Sequence, residues 1–151
     1  MKVYIGADHR GYAMKGKVIK ILEGLEIDVV DVGTHDSEQS SDYPKYAYKV
    51  AAGVAQSKTD RGILICMSGI GQSIAANKVR GAYAALCYNV ESAKSSRVHN
   101  NANVLVLGTK IVKQKDLSKI IKIWLTTEFE GGRHRRRINQ IKKMEKGGVL
   151  K

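Results

Sequence analysis

The chain has 151 residues and a formal net charge of +12. That length fits one compact domain spanning 1–151, not two, and a hydrophobic fraction of 43% excludes wholesale disorder. No apolar run approaches the roughly 20 residues that a membrane span requires.

Read in order, strand-like and helix-like segments alternate. Val3-Tyr4-Ile5-Gly6-Ala7 is a first buried strand. It begins almost at Met1 and carries no cleavage pattern of a signal peptide, so the cytoplasm is the expected location. Met14, Val18, Ile21, Leu22 and Leu25 recur at helical spacing. A second strand, Asp28 to Val32, closes at Gly33. The polar stretch from Thr34 to Asp42 has no periodicity and is long enough to be a functional loop. Pro44 suits the first turn of the next helix, whose inward stripe is Ala47, Val50, Ala51 and Val54. Arg61 to Met67 is a third strand, and its unbroken apolar run predicts burial on both faces.

After a glycine turn comes a short helix with Ile74, Ala75 and Ala76, then a fourth strand from Ala82 to Leu86. Asn89 is placed to cap the following helix. Val104 to Leu107 forms a fifth strand, and Leu117, Ile120, Ile121, Trp124 and Leu125 mark an amphipathic helix. Gly131-Gly132 breaks the chain before a last helix over about 135–146, with Ile138 and Ile141 facing inward. Such alternation predicts an α/β, three-layer Rossmann-like fold: a five-stranded parallel sheet with helices on both faces.

In an open parallel sheet, ligands bind beyond the carboxyl ends of the strands. That rule selects Gly6 to Gly11, Cys66 to Ser73, and Gly108-Thr109-Lys110. In the middle segment Gly69 and Gly71 allow a sharp turn that aims successive N–H groups at one anion, ahead of a helix N-terminus. It is no dinucleotide fingerprint, because the third glycine would fall at Ile74. Tyr12 likewise stands where a P-loop needs lysine. Cys66 precedes this turn. If the N–H groups and the helix terminus lower its pKa, it serves as nucleophile or general base; otherwise it is a small buried hydrophobe.

Cys66 and Cys87 are the only cysteines, with no C-x-x-C pair, which excludes a zinc ribbon or a thioredoxin-type motif. A disulfide between them is not expected in a cytosolic chain. His9, His35, His99 and His134 make no H-x-H or H-x-x-x-H pair, so no metal site is indicated. His9 and His99 are either surface histidines or site residues. Arg133 and Arg137, four apart, project from one helix face and suit a phosphate monoester, unless that face is simply solvated.

Together these segments resemble the type B ribose-5-phosphate isomerases, within a family that also includes allose- and galactose-6-phosphate isomerases. The matching stretches are Gly6-Ala7-Asp8-His9-Arg10-Gly11, Asp42-Tyr43-Pro44, Cys66 to Asn77, Arg97-Val98-His99-Asn100 and Glu130-Gly131-Gly132-Arg133-His134. The resemblance implies a metal-free and cofactor-free isomerase that interconverts D-ribose 5-phosphate and D-ribulose 5-phosphate through an enediolate. By that resemblance His99 opens the furanose ring, with Asp8 and Tyr43 beside the sugar. Cys66 moves the proton between neighbouring carbons, and Ser68 moves one between the two oxygens. The backbone N–H groups of Gly69, Ile70, Gly71, Gln72 and Ser73 hold the anion. His9, Lys110, Arg133 and Arg137 grip the phosphate, and Asn100 binds sugar hydroxyls. The family builds its sites between subunits, which implies a homodimer or a dimer of dimers.

Some members use a glutamate within the glycine loop as base; here Gln72 stands there while Cys66 is kept, which favours the cysteine branch. Two residues depart from the family pattern. Met67, in the substrate-binding loop, replaces a common glycine and would distort the anion hole if its φ had to be positive. Lys110 replaces a common arginine, and a point charge in place of a fork predicts weaker phosphate binding. A six-carbon sugar phosphate is the alternative substrate. A basic nucleic-acid-binding module is the distant one, disfavoured by a single Phe and no run of aromatics for base stacking.

Overall fold

The computed structural model describes residues 1–150. The strands are β1 (Lys2–Ala7), β2 (Asp28–Asp31), β3 (Arg61–Cys66), β4 (Ala84–Leu86) and β5 (Val104–Gly108). The helices are α1 (Tyr12–Glu23), α2 (Tyr43–Ala55), α3 (Ile70–Ala76), α4 (Val90–Val98), α5 (Leu117–Thr126) and α6 (Gly132–Glu145). All strand pairs are parallel, in the order β2-β1-β3-β5-β4. Parallel neighbours need crossover connections, and the intervening helices supply them.

Side-chain alternation along the strands divides the core into two layers. Val3, Ile5, Ile63, Ile65, Leu105 and Leu107 face Val18 and Leu22 of α1 and Leu117, Ile120 and Trp124 of α5. Leu64, Val104 and Val106 face Ala47, Val50, Ala51 and Val54 of α2. From β1 the chain turns through α1 to β2 on one side, and then returns through α2 to β3 on the other. Because α1 and α2 cover opposite faces, a crevice opens beyond the carboxyl ends of β1 and β3, at the topological switch point.

Capping follows the sequence closely. Asn89 Oδ1 accepts the Ser92 N–H at 2.8 Å, and Ser92 Oγ accepts the Asn89 N–H at 3.1 Å, a reciprocal capping box. Pro44 lies in the first turn of α2.

Several boundaries differ from expectation. α1 stops at Glu23, because Gly24 and the left-handed Glu26 (φ 55°) turn the chain, so Leu25 is 36% exposed. β2 ends at Asp31, one residue early, since Asp31 Oδ1 accepts the Gly33 N–H and starts the turn. β4 starts two residues late, because Ala82 is still in the turn after Gly81 and donates to the Val79 carbonyl. α3 begins at Ile70 and buries Gln72 and Ala76, leaving Ile74 on the outer face. α6 begins at Gly132, not near 135, because Gly131 at φ 76° acts as its cap. Only His134 and Ile138 of α6 are buried, and Ile141, expected inward, is half-covered over a shallow groove beside Tyr83 and Ala84.

Candidate active site

The register of the sheet sets the site. Ala7 is level with Ile65, and Cys66 with Gly108, so Asp8, Cys66 and Thr109 leave the sheet side by side. The Thr109 and Lys110 N–H groups donate to the Cys66 and Met67 carbonyls at 2.9 and 3.1 Å, which ties the two exits together. Asp8 is buried, and its carboxylate accepts the Gly11 N–H at 3.0 Å.

Cys66 is also buried, and its Sγ accepts the Gly69 N–H at 3.1 Å. That bond depends on Gly69 at φ 80°, where a Cβ would be strained and would collide with Leu86 Cδ1. The lowered thiol pKa expected from the turn is not what results. Burial pushes the Cys66 thiol up, and the nearby Asp8 carboxylate adds to this. Together they outweigh the N–H groups of Gly69, Ser68 and Gln72 that favour the thiolate.

The expected row of free N–H donors is partly engaged. Besides Gly69, the Ile70 N–H donates to Ser68 Oγ at 3.3 Å and the Ser73 N–H to the Gly69 carbonyl at 3.0 Å. Ser73 Oγ donates to the Ile70 carbonyl at 2.9 Å. The loop therefore folds around the thiol first, and an incoming anion has to exchange with Ser68 Oγ.

Gln72 points into the protein: its Nε2 donates to the Ile65 carbonyl at 2.9 Å, while its Oε1 is buried without a partner. Met67 is 39% exposed, and Glu26 and Asn101 are the only described non-glycine residues with positive φ. The side chain at 67 thus imposes no left-handed strain. The Tyr43 ring lies over the loop, so close that a Cβ on Gly71 would fall 2.6 Å from Tyr43 Oη. Lys110 is exposed at the same edge.

His9 is fixed by a partner that the sequence reading missed. Its N–H donates to Ser41 Oγ at 3.3 Å, and the Ser41 N–H donates to His9 Nδ1 at 3.2 Å. The loop carrying Ser41 is anchored by buried Lys15, whose Nζ reaches Asp31 Oδ2 and the Thr34 carbonyl, each at 2.6 Å. The unpatterned polarity of 34–42 flagged the loop, but not which of its residues would meet His9.

The remaining predicted residues lie elsewhere. α4 starts beyond the carboxyl end of β4 and runs back across the layer to the amino end of β5. His99, its C-cap, and Asn100 therefore sit at the opposite edge from Cys66. His99 stacks on His134 of α6, with ring centroids 4.5 Å apart, and Glu130 Oε1 is 3.9 Å from His134 Nε2. Burial lowers the His134 pKa, and the charges of His99, Arg133 and Arg137 lower it further against Glu130. Arg133 and Arg137 are exposed one turn apart. His99, Glu130 and His134 are the only described cluster with three metal-type donors, within 4.8 Å of one another. However, Arg133 Nε donates to His134 Nε2 at 3.4 Å and sets a guanidinium where a cation would sit. The stacking of His134 on His99 was invisible in sequence, although His134 fell inside a matching stretch.

A thiol, a carboxylate and an imidazole gather at the switch point of a doubly wound sheet, which is where an enzyme of the open α/β class handles a small polar substrate. Comparison with known proteins makes this specific. The family model described as Ribose/Galactose Isomerase matches residues 3–141. Ribose-5-phosphate isomerase B of Escherichia coli is 42% identical, over 95% of this chain and 96% of its own. The solved structure of ribose-5-phosphate isomerase B from Clostridium thermocellum superposes with a TM-score of 0.93 at 46% identity, covering 97% of this chain and 99% of that one. The Mycoplasma genitalium isomerase B, solved with bound ribulose-5-phosphate, gives 0.92 at 41%, covering 96% of each. The chain belongs to the ribose/galactose isomerase family and is an isomerase of sugar phosphates.

Proposed function

We propose that this isomerase interconverts D-ribose 5-phosphate and D-ribulose 5-phosphate, with Cys66 as the proton-transfer base. The observation that carries the reading is the placement of a buried thiol under the Gly69 N–H and beside Asp8 at the switch point. The pentose is favoured by the relative that holds ribulose-5-phosphate.

The Cys66 thiolate takes the proton from C2 of the open aldose, and the resulting thiol returns it to C1. Ser68 receives the O2 hydroxyl proton and passes one to O1, so that aldose becomes ketose with no net gain or loss. N–H groups of the 69–73 loop stabilise the enediolate; each well-placed donor is worth about 3–4 kcal/mol. Asp8 and Tyr43 orient the sugar, and His9 and Lys110 meet the phosphate. No metal or cofactor enters these steps.

One chain does not complete this site. We infer that a second copy supplies His99 for ring opening, Asn100 for the hydroxyls, and Arg133 and Arg137 for the phosphate. The exposed Met67, Ile70 and Ile74 beside the loop, and Ile141 and Met144 on α6, offer the apolar surface for that contact. The free Cys66 and Cys87 suit a reducing compartment, the cytoplasm, and 1–151 acts as a single domain.

The test is conversion of ribose 5-phosphate with chelator present, for the wild type beside Cys66→Ala. Chelator-resistant turnover that collapses in the variant is expected. An active variant would remove Cys66 as the base. A wild type active only on allose or galactose 6-phosphate would replace the substrate.

A further inference from the structure

The mechanism leaves most of the positive charge unused, and much of that charge gathers at the other end of the sheet. A cavity of about 620 Å³ opens at the amino ends of β3, β4 and β5, beneath the last turn of α6. Six cationic side chains line it: Lys58, Arg61, Arg80, Arg97, Lys142 and Lys146. They form two tiers, because Arg97 is 4% exposed and Arg61 half-buried, whereas the other four are exposed.

Two carboxylates, Glu145 in the lining and Asp60 next to Arg61, stand against these six cations. The two ion pairs among the described residues, Lys15–Asp31 and Glu130–His134, involve none of them. Glu145, the carboxylate in the lining, is committed to the Gly81 N–H and the Tyr83 hydroxyl, each at 3.1 Å. The Asp60 carboxylate, next to Arg61, accepts the Lys2 N–H at 2.8 Å. At the base of the cavity, Arg61 Nε is buried without an acceptor. Arg97 is held by the Ala102 and Thr127 carbonyls and by Asn101. Burial and the charge of Arg61 push Arg97 down to about 10. Arg61 Nη1 donates to the Thr59 and Asp60 carbonyls at 2.9 and 3.0 Å, and the charges of the Arg61 and Arg97 guanidinium groups repel; such a pair is costly to bury unless an anion joins it.

We propose that this cavity is a second anion site, which takes a small ligand carrying two or more linked phosphate groups. Arg61 and Arg97 hold one phosphate at the base, and Arg80, Lys58, Lys142 and Lys146 hold the next at the rim. The site lies at the amino edge, across the sheet from Cys66, and is separate from Arg133 and Arg137. A ligand bridging Arg80 to Lys142 and Lys146 pins the end of α6 to the body of the chain.

The test is calorimetric titration of the full chain with inorganic tripolyphosphate. It compares the wild type, the double variant Arg80→Ala/Lys142→Ala and Arg133→Ala. Both substituted positions in the double variant are exposed, and a matching melting curve checks its fold. One site per chain is expected, weakened on the order of tenfold in the double variant and unchanged in Arg133→Ala. Hydrogen exchange should slow over residues 139–147 on binding. Adenosine triphosphate tests the source: equal affinity assigns recognition to the phosphate chain alone, and tighter binding assigns it to a nucleotide. Tripolyphosphate binding that survives in the double variant, or is lost only in Arg133→Ala, overturns the proposal. So does a single-stranded RNA that depends on Arg80 and Lys142 while tripolyphosphate binds no better than inorganic phosphate.

Discussion

The two halves of the proposed active site are built on opposite plans. At the carboxyl edge, Asp8, Cys66 and His9 are each tied to a neighbour in the same chain, by Gly11, Gly69 and Ser41. At the α4–α6 junction, His99, Asn100, Arg133 and Arg137 stand exposed, with His134 buried behind them. A group that moves a proton must be held before substrate arrives, because small misplacement costs rate steeply. Groups that recognise a phosphate or a ring oxygen can be brought up by assembly. The first half is preorganised by folding, and in the proposed dimer the second joins a site when another copy docks.

Complementation tests this division of the site directly. Cys66→Ala and His99→Ala each lose on the order of 10³-fold in kcat/KM, within the usual range for a general acid or base. Mixed and allowed to exchange subunits, the two inactive proteins should recover about a quarter of wild-type activity. Half the dimers are hybrids, and each hybrid has one site with both residues intact. Recovery of nothing, with hybrids shown to form, would place His99 and Cys66 in one chain's site or remove one of them from the reaction.

The pH profile sharpens the first half alone. Burial raises the thiol pKa, so the thiolate is scarce at neutral pH. With thiolate as the active form, kcat/KM of the free enzyme should climb about tenfold per pH unit and level off only above the ordinary thiol value of ~8.5. Asp8→Asn removes a like charge and should move the inflection down. A flat profile from about pH 6 to 9 would mean that Cys66 is not the ionising base.

This pKa also marks where sequence stopped being legible. Gly69 was readable as the turn before α3, and the apolar run from Arg61 to Cys66 as a doubly covered strand. Patterning reports which faces are buried. The sign of the Cys66 shift depends on a balance between desolvation, three N–H groups and a carboxylate delivered by β1. That balance follows from the β1–β3 register, which no local pattern contains. The same holds for His99 on His134, where β5 and α5 intervene, and for Ser41 on His9, 32 residues apart. Ile141 misled because its spacing from Ile138 promised an inner face, whereas α6 buries only His134 and Ile138 against the body.

Within the carboxyl edge, Gly71→Ala probes the roof of the site. The new Cβ meets the Tyr43 ring, which is 38% exposed and free to swing outward, so the fold should survive. With Tyr43 displaced, KM should rise roughly fivefold while kcat changes less, the signature of lost ground-state binding. An unchanged KM would show that Tyr43 does not face the sugar.

Lys110, which the proposed reading sets at the phosphate between the two halves, should respond least. Its side chain is exposed, and its backbone N–H is pinned to Met67, so the position is fixed while the head group is not. An ammonium offers a point charge, whereas a guanidinium offers two parallel donors to one phosphate. Lys110→Arg should therefore lower KM about threefold, under 1 kcal/mol for an exposed charge, and leave kcat alone because the contact is equal in ground and transition states. The gain should vanish in Arg133→Ala/Arg137→Ala if those arginines, from the second copy, place the phosphate within reach of residue 110. A KM unmoved by Lys110→Arg in the wild-type background would take Lys110 out of the phosphate site and leave His9 as the only phosphate ligand assigned to the carboxyl edge.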